Sequence, residues 1–572
     1  MHVATTRRHY KDAVYETHLL RRSYRDAQGR PRNETLANLS HLPPATIEVI
    51  RRSLKGEAFV AAGEAFIIMR SRPHGHVAAV TAMARSLGLP DLLGPACRER
   101  DLAFALIIAR ACRPGSKLAT TRWWADTTLA PDLDIASADT DEVYAAMDWL
   151  LDRQERIEAQ LADRHLQPDG LVLYDVSSSW MEGRTCPLVA HGYSRDGRRG
   201  KAQIVYGLVT DADGRPVAVN VFAGNTGDPS AFADTVAMIT DRFGLQRMVM
   251  VGDRGMITGA RIAALRDRGG IDWITALRAP SIRKLVEQQA IQLSLFDEAN
   301  LAEITHPDYP DERLVVCRNP ALAADRARKR SQLLAATDAE LDKITRAVAT
   351  GRLRDAGKIG VRVGKVIARF KMAKHYQLDI ADGHFAYHHD HDSIAAEAAL
   401  DGVYVIRSSV TAERLHGAGV VEAYKRLANV ERDFRCLKTV DLDIRPVHHR
   451  LEQRVRGHVL VCMVAAYLTW HLRRIWAPLC FTDEAAPQRH DPVAPARRSV
   501  TALRKASRQT TPDGQPVHSY RSLIDHLAAL TRNDVVYHDT EITIAQLAQP
   551  TPTQQRAFEL LDVPIPLRIK AM

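Results

Sequence analysis

Several protein classes are excluded by what this sequence lacks. The seven cysteines are odd in number and scattered, with no C-x-x-C pair, which argues against a disulfide framework or a zinc finger. No stretch reads G-x-x-x-x-G-K-[ST], so ATP-driven P-loop chemistry is disfavoured. The N-terminus has no apolar signal core, and the longest apolar run, residues 459–470, is shorter than the ~20 residues that span a bilayer. We therefore expect a cytoplasmic protein with no membrane role.

The composition is that of a folded protein with several domains and a positive field. The chain has 572 residues, 46% of them hydrophobic and 26% charged. Lys and Arg number 78 against 68 Asp and Glu, a net charge of +10. Residues 321–374 hold 14 basic and five acidic side chains, so this basic window alone carries +9. Such a field favours a polyanionic partner, with nucleic acid as the first candidate, although a charge run is also typical of a solvated face.

The middle of the chain has the pattern of a mixed α/β domain. Three strand-like runs, LVLYDVSSS, AQIVYGLVTD and PVAVNVFAG, are followed by a helix, the strand RMVMVGDRG, a second helix and the strand IDWITALRA. This pattern predicts the order βββαβαβ. A helical stretch precedes it, and a mixed stretch with strand-like VRVGKVIARFKM and HYQLDI follows it.

Three carboxylates stand out against this pattern. Asp175 and Asp253 each end an apolar strand, where open α/β sheets present acids to a ligand, although such residues are also common helix caps or ion-pair partners. On a helix predicted over residues 420–439, Tyr424, Glu431 and Lys438 are spaced i, i+7, i+14 and fall within roughly 40° of one another. Taken alone, that helix could be an ordinary surface helix. Three carboxylates on adjacent elements suit hard divalent cations, and two such ions about 3.5–4 Å apart promote in-line displacement at phosphorus.

Longer segments carry a resemblance to a known family. The sequences YDVSSSWMEGRTCPLVAHGYSRDGRRGKAQIVYGL, VFAGNTGDPSAF, VGDRGMIT and YKRLANVERDFRCLKT are similar to those of the DDE transposases of bacterial insertion sequences, in the insertion-sequence-four superfamily. The resemblance implies a ribonuclease-H-like mixed sheet with a largely β domain inserted before the Glu. It implies that Asp175, Asp253 and Glu431 are the catalytic residues and the ligands of two Mg²⁺ ions, for which Mn²⁺ could substitute.

DNA contacts follow partly from the resemblance and partly from charge. The family's helix signature places Tyr424 and Lys438 on DNA, but its Arg position is occupied here by Leu427. Arg254, just after the second Asp, could reach phosphate or form a salt bridge with equal ease. The remaining expected phosphate contacts are basic side chains of the Glu helix and of the basic window: Arg435, Arg326, Arg328, Lys329 and Arg330.

These observations predict six regions along the chain. They are a small β-rich segment (1–65), a helical region expected to bind DNA (66–168), the first part of the catalytic core (169–279), a basic inserted domain (280–402), the rest of the core with the Glu helix (403–480), and a linker with a small C-terminal region (481–572).

A short motif suggests a protein partner. Gln292, Leu293, Leu295 and Phe296 resemble the peptide with which bacterial proteins dock onto the replicative sliding clamp. The alternative is that the three apolar residues belong to the core of the inserted domain.

The sequence thus indicates a DNA transposase. It would cut element ends by metal-dependent hydrolysis and join the freed 3′ ends to target DNA. Double-stranded DNA would be its partner, in a homodimer on DNA near the nucleoid. Two alternatives stay open: a nuclease with the same core that performs no strand transfer, and a non-catalytic DNA-binding derivative.

Overall fold

The computed structural model describes most of the chain. The described residues are 1–11, 13–59, 66–183, 185–198, 200–291, 300–485, 491–537 and 542–569. They form two compact units, Met1–Ser71 with Arg532–Ala548, and Arg72–Thr531 with Gln549–Met572.

Strands occur in both units. Their bounds are β1 His2–Tyr10, β2 Ala13–Arg25, β3 Pro31–Asn38, β4 Phe66–Pro73, β5 Leu171–Trp180, β6 Gln203–Thr210, β7 Pro216–Ala223, β8 Met248–Val251, β9 Ile271–Ala276, β10 Leu301–Ile304, β11 Arg313–Arg318, β12 Tyr376–Ala381, β13 His384–His389, β14 Val403–Ser408, β15 Thr531–Tyr537 and β16 Thr543–Leu547.

The α-helices are α1 Pro44–Ser53, α2 Gly75–Ser86, α3 Leu89–Leu93, α4 Arg98–Cys112, α5 Lys117–Asp126, α6 Leu129–Leu133, α7 Thr140–Leu151, α8 Gln154–His165, α9 Asp228–Ala237, α10 Gly259–Arg268, α11 Ala279–Glu287, α12 Pro320–Ala349, α13 Ala356–Phe370, α14 His391–Ala398, α15 Gly417–Lys425, α16 Leu427–Arg435, α17 Glu452–Ile475, α18 Val500–Arg508, α19 Tyr520–Ala528 and α20 Pro552–Leu560. Helix α1 lies in the first unit, and helices α2 to α20 lie in the second.

The second unit is organised around an eight-stranded mixed sheet with the order β10-β11-β14-β9-β8-β5-β6-β7. Strands β5, β6 and β7 pair antiparallel, whereas β5, β8 and β9 pair parallel. The order βββαβαβ predicted for residues 171–276 is confirmed by β5 to β9 with α9 and α10. All eight residues of β6 are buried, because this strand is covered on both faces.

Helices α2, α4 and α17 form a second apolar layer. Residues 75–84 of α2 and 102–112 of α4 are all buried, and α17 packs against both helices and against β7. Because these stretches of α2 and α4 are covered, any DNA contact from the helical region predicted at 66–168 would come from residues outside them. Among the described residues, α17 is the one helix long and apolar enough to cross a membrane by length and composition, and 83% of its apolar window is buried inside the protein.

The expectation of a largely β insertion at 280–402 is wrong. Strands β10 and β11 extend the large sheet, and most of the remaining stretch is helical, in the 30-residue α12 and the 15-residue α13. The run VRVGKVIARFKM looked strand-like because its apolar residues partly alternate. However, Ile359, Val363 and Ile367 are spaced four residues apart and are buried, which is the period of a helix face, and Asp355 caps α13.

The helix predicted over residues 420–439 is divided. Helix α15 ends at Lys425, Arg426 forms the junction, α16 ends at Arg435, and one wide π-helical turn covers Cys436–Val440. The apolar side chains Val430 and Phe434 are buried, and the Phe434 ring lies 5.8 Å from that of Tyr206 on β6. This packing fixes how α16 presents its other face.

Candidate active site

Strand register places the two aspartates side by side. Strands β5 and β8 run parallel, with Leu173 opposite Val251. Asp175 lies two residues further along β5, and Asp253 lies two residues beyond the end of β8, so both aspartates come to the same edge of the sheet at neighbouring strands. Asp175 is partly buried and Asp253 is exposed. The fold therefore brings together two carboxylates that are 78 positions apart in the chain.

Helix α16 adds the third carboxylate. It packs against β5, and its exposed Glu431 follows the buried Val430. Asp175, Asp253 and Glu431 line one cavity of about 460 Å³, together with Asn319, Tyr404, Tyr424, Lys425, Leu427 and Ala428. The structure thus brings the three predicted catalytic residues to one place.

The electrostatics of this acidic cavity reflect that proximity. The pKa of Asp175 is raised to about 7, first by burial and then by the nearby negative charges of Asp253 and Glu431, against the lowering effect of a backbone hydrogen bond from Val176. Burial also raises the pKa of Tyr424, and the nearby negative charge of Asp253 contributes to this rise. The cavity therefore concentrates negative charge that a cation would relieve.

The three carboxylates are suitable ligands for divalent cations, although they do not approach one another as closely as the ligands of a closed metal site. Carboxylate oxygens are the ligands that Mg²⁺ prefers, and Mg²⁺ usually keeps water or substrate oxygens in its other positions. Within the part of the chain that the structure describes, no group of three His, Cys, Asp or Glu side chains is close enough to hold a metal ion by itself.

A basic neighbour adjoins the acidic cavity. A second cavity of about 350 Å³ shares Asp253, Tyr404 and Tyr424 with the first and adds Arg254 and Arg326. Both arginines were predicted to contact DNA, and both side chains are exposed. A phosphate bound beside the carboxylates would therefore find cationic side chains on this flank.

The other basic residues predicted on DNA lie in varied surroundings. Arg330 forms a two-pronged ion pair with Asp401, at 2.6 and 3.1 Å, with its side chain 11% exposed. Arg328 pairs with Asp325 at 2.8 Å on the surface of α12. Lys329 and Arg435 are exposed and do not line either cavity.

Lys438 lies in a buried ionic network. Its Nζ donates to Asp196 Oδ1 at 2.8 Å, and Arg445 contacts the same oxygen. The Asp196 side chain is 1% exposed, and its other oxygen accepts the backbone N–H of Trp180 at 3.3 Å. Burial lowers the pKa of Lys438, partly offset by Asp196. This network ties the end of the Glu helix to the segment that joins β5 to β6.

Sequence reasoning missed Arg195, which lies on that same segment. Its backbone N–H donates to Ser178 Oγ at 3.0 Å, and its guanidinium pairs with Asp228 at the start of α9. Its positive charge partly counteracts the rise in the pKa of Asp175, so Arg195 acts on the acidic cavity. The Asp228 and Asp253 carboxylates flank Gly255, at 4.0 and 3.7 Å from where a side-chain carbon would lie. Arg195 and Asp228 are 33 residues apart, so no short sequence motif could have revealed this ion pair.

Comparison with known proteins assigns the class. A family model described as a transposase DDE domain matches residues 184–468, about half of the chain, and includes Asp253 and Glu431 but begins after Asp175. A second model, the N-terminal domain of IS1634 family transposases, matches residues 3–64. The protein is thus a DNA transposase of the DDE type. More narrowly, the chain belongs to the DDE transposases of insertion sequences, which confirms the family resemblance.

No curated protein is matched. Among solved structures, the chain is similar to a cryo-EM structure titled as the piggyBac transposase synaptic complex with hairpin DNA, at 8% identity over 79% of this chain and 76% of that chain, with a TM-score of 0.34.

Proposed function

We propose that this transposase cuts and joins insertion-sequence ends at the cavity lined by Asp175, Asp253 and Glu431, with two Mg²⁺ ions as cofactors. The observation that carries the proposal is the parallel register of β5 and β8, which brings the two aspartates to one edge of the sheet, in the cavity that Glu431 also lines. Carboxylates in this arrangement supply the oxygen ligands of a two-metal site.

The sheet order supports a ribonuclease-H-like core. Three antiparallel strands, β5 to β7, are followed by two parallel strands, β8 and β9, on the other side of β5. The expected core continues through α15 and α16, which carry Tyr424 and Glu431. On the basic flank, Arg254 comes from the turn after β8, and Arg326 comes from α12, between β9 and α15.

Each part of the site has a role in this proposal. Asp175, Asp253 and Glu431 would hold the metal ions, which supply activation of the attacking oxygen and stabilisation of the leaving oxygen at phosphorus. Arg254 and Arg326 bind backbone phosphate on one flank, and the Tyr424 hydroxyl donates to a phosphate oxygen. Arg195 provides positive charge near Asp175, a role that Leu427 cannot fill on the Glu helix.

Double-stranded DNA is the proposed substrate, both as element ends and as target, bound by a homodimer in the cytoplasm. The proposed docking of Gln292, Leu293, Leu295 and Phe296 onto a sliding clamp lies outside the described residues. Cleavage and joining of element-end DNA tests the main claim, with ends taken from the inverted repeats that flank the gene.

In that assay, Asp175→Asn, Asp253→Asn and Glu431→Gln should each abolish cleavage while DNA binding is retained, because each removes ligand charge and little surface. Asp267→Asn and Glu422→Gln, exposed acids on α10 and α15, are matched controls that should cleave normally. Joined products distinguish a transposase from a nuclease. Cleavage at the wild-type rate by a triad variant would remove that residue from the site.

A further inference from the structure

The N-terminal sheet formed by β1, β2 and β3 has two chemically different faces. Its antiparallel register sets Thr5 and Arg7 opposite His18 and Glu16. Helix α1 covers this side of the sheet, since Arg51 on α1 donates to Thr5 Oγ1 at 3.1 Å. Side chains on alternate positions of the three strands point to the other side. We call that other side the open face.

The acidic residues of the three strands lie on the helix-covered face, where neighbouring arginines neutralise their charges. Arg7 pairs with Glu16 at 2.5 Å, and Arg22 pairs with Glu34 at 2.6 Å, each across neighbouring strands. The positive and negative charges of this face therefore balance in pairs.

The open face has no such balance. The hydrogen-bonding and positively charged side chains on this face include Thr6, Arg8, Thr17, Arg21, Arg25 and Asn33. Among the described residues of the three strands, no Asp or Glu lies on this face, and none of its arginines forms an ion pair with a described residue. Most of the face is solvent-exposed, including Tyr15 at 59%.

We propose that the open face binds double-stranded DNA through the major groove. Three strands about 4.8 Å apart span roughly 10 Å, which matches the ~12 Å width of that groove, where β-ribbons are known to fit. Arg8, Arg21 and Arg25 contact backbone phosphates. Thr6, Thr17 and Asn33 carry the short donors and acceptors that contact base edges.

The proposal deepens the proposed function and rests on it for the identity of the ligand. Arginines without a carboxylate partner, next to uncharged hydrogen-bonding groups, match a polyanion that also displays base edges, although Arg25 donates to the Gly29 carbonyl at 2.9 Å. The charges of the helix-covered face, which are paired with one another, do not match such a ligand. The proposal assigns to this sheet the recognition of DNA sequence and leaves strand cleavage to the acidic cavity.

Neighbouring arginines on opposite faces provide a matched test in the full-length protein. The test variant is Arg8→Gln with Arg21→Gln, and the control is Arg7→Gln with Arg22→Gln, which removes the same charge from the same strands. Binding to a short fluorescein-labelled duplex of mixed sequence is measured by anisotropy across a salt series. The test variant should bind roughly tenfold more weakly, and its slope of log affinity against log salt should fall by about 2, since each lost phosphate contact removes ~0.9. The control should retain the wild-type slope.

Several outcomes would overturn the inference: equal losses in both double variants, an unchanged slope in the test variant, or stronger competition by RNA than by duplex DNA. Circular dichroism checks folding, and Arg8→Gln with Arg25→Gln replaces the test variant if Arg21→Gln disturbs the sheet, with the same expectation. End cleavage at saturating DNA is read separately. If the wild-type protein does not cleave element ends, the proposed function is refuted. If the test variants bind DNA as the wild type does, only the role of the sheet is refuted.

Discussion

Asp196 provides a demanding test of how the acidic cavity is supported. This carboxylate accepts from Lys438 and Arg445, whose side chains are 11% and 16% exposed. Asp196→Asn retains the shape of the side chain but leaves two largely buried cations without their counter-charge. The change should therefore destabilise the junction between the Glu helix and the segment that carries Arg195.

The expected magnitude follows from burial and distance. At the 2.8 Å separation of Lys438 and Asp196, the direct attraction is on the order of 6 kcal/mol at an effective dielectric constant of ~20. Removing one partner of a buried pair costs a net ~3–5 kcal/mol. At about 2 °C per kcal/mol for a large domain, the melting temperature should fall by roughly 6–10 °C.

Differential scanning fluorimetry of the full-length protein measures this shift. Asp325→Asn is the matched control, because Asp325 pairs with Arg328 on the surface, with both side chains more than half exposed. Such a pair contributes about 0–1 kcal/mol, so its loss should barely move the melting temperature. Adding Lys438→Met to Asp196→Asn should recover part of the loss by removing one surplus charge. If Asp196→Asn melts no lower than Asp325→Asn, the supporting role of this network is refuted.

Two further changes probe the site and its surroundings. Arg195→Gln should lower end cleavage by about tenfold to a hundredfold, the value of one charge-assisted hydrogen bond, with partial rescue by Arg195→Lys and no loss in Arg198→Gln. Equal cleavage by Arg195→Gln and wild type would rule out the proposed role of the Arg195 charge at the site. Lys117 is buried, donates to Nδ1 of His458 at 3.3 Å, and has its pKa lowered by burial from 10.5 to about 7. Between pH 7 and 10.5 the unfolded chain binds the Lys117 proton more tightly than the folded chain, so the stability of the wild type should rise with pH from 7 to 9. The melting temperatures of the wild type and of Lys117→Met should therefore converge over that range. Parallel profiles of melting temperature against pH would contradict the lowered pKa of Lys117.

The sequence predicted candidate site residues where a local apolar pattern and a chemically reactive side chain occur together. The runs around Asp175 and Asp253 are apolar strands that end in an acid, and the helix spacing that singled out Glu431 depends on one periodicity. What it could not provide was register. Only the pairing of Leu173 with Val251 sets the two aspartates side by side, and pairing between distant strands is not encoded in either strand alone.

Charge was a poorer guide than pattern, because a basic residue acquires its role from its partner. Arg326 reaches the cavity beside Asp253, whereas Arg330, four residues along the same helix, is occupied by Asp401. Lys438 is likewise held by Asp196, which precedes it by 242 residues. Such partners are distant in sequence, so no local window reveals them.

The helical insertion shows the limit of pattern itself. Val361 and Val363 alternate with polar neighbours as in a strand, yet Val361 is 60% exposed and Val363 is buried on α13. Packing against α12 stabilises this stretch as a helix, and that packing is a tertiary interaction that the local sequence pattern does not reveal.

Manganese binding tests the central claim most directly, because it asks whether the three carboxylates hold the metal ions irrespective of catalysis. Electron paramagnetic resonance can count Mn²⁺ bound to the full-length protein with end DNA. Wild type, Asp267→Asn and Glu422→Gln should bind two ions per chain, and Asp175→Asn, Asp253→Asn and Glu431→Gln should each lose at least one. Retention of both ions by all three triad variants would contradict the account.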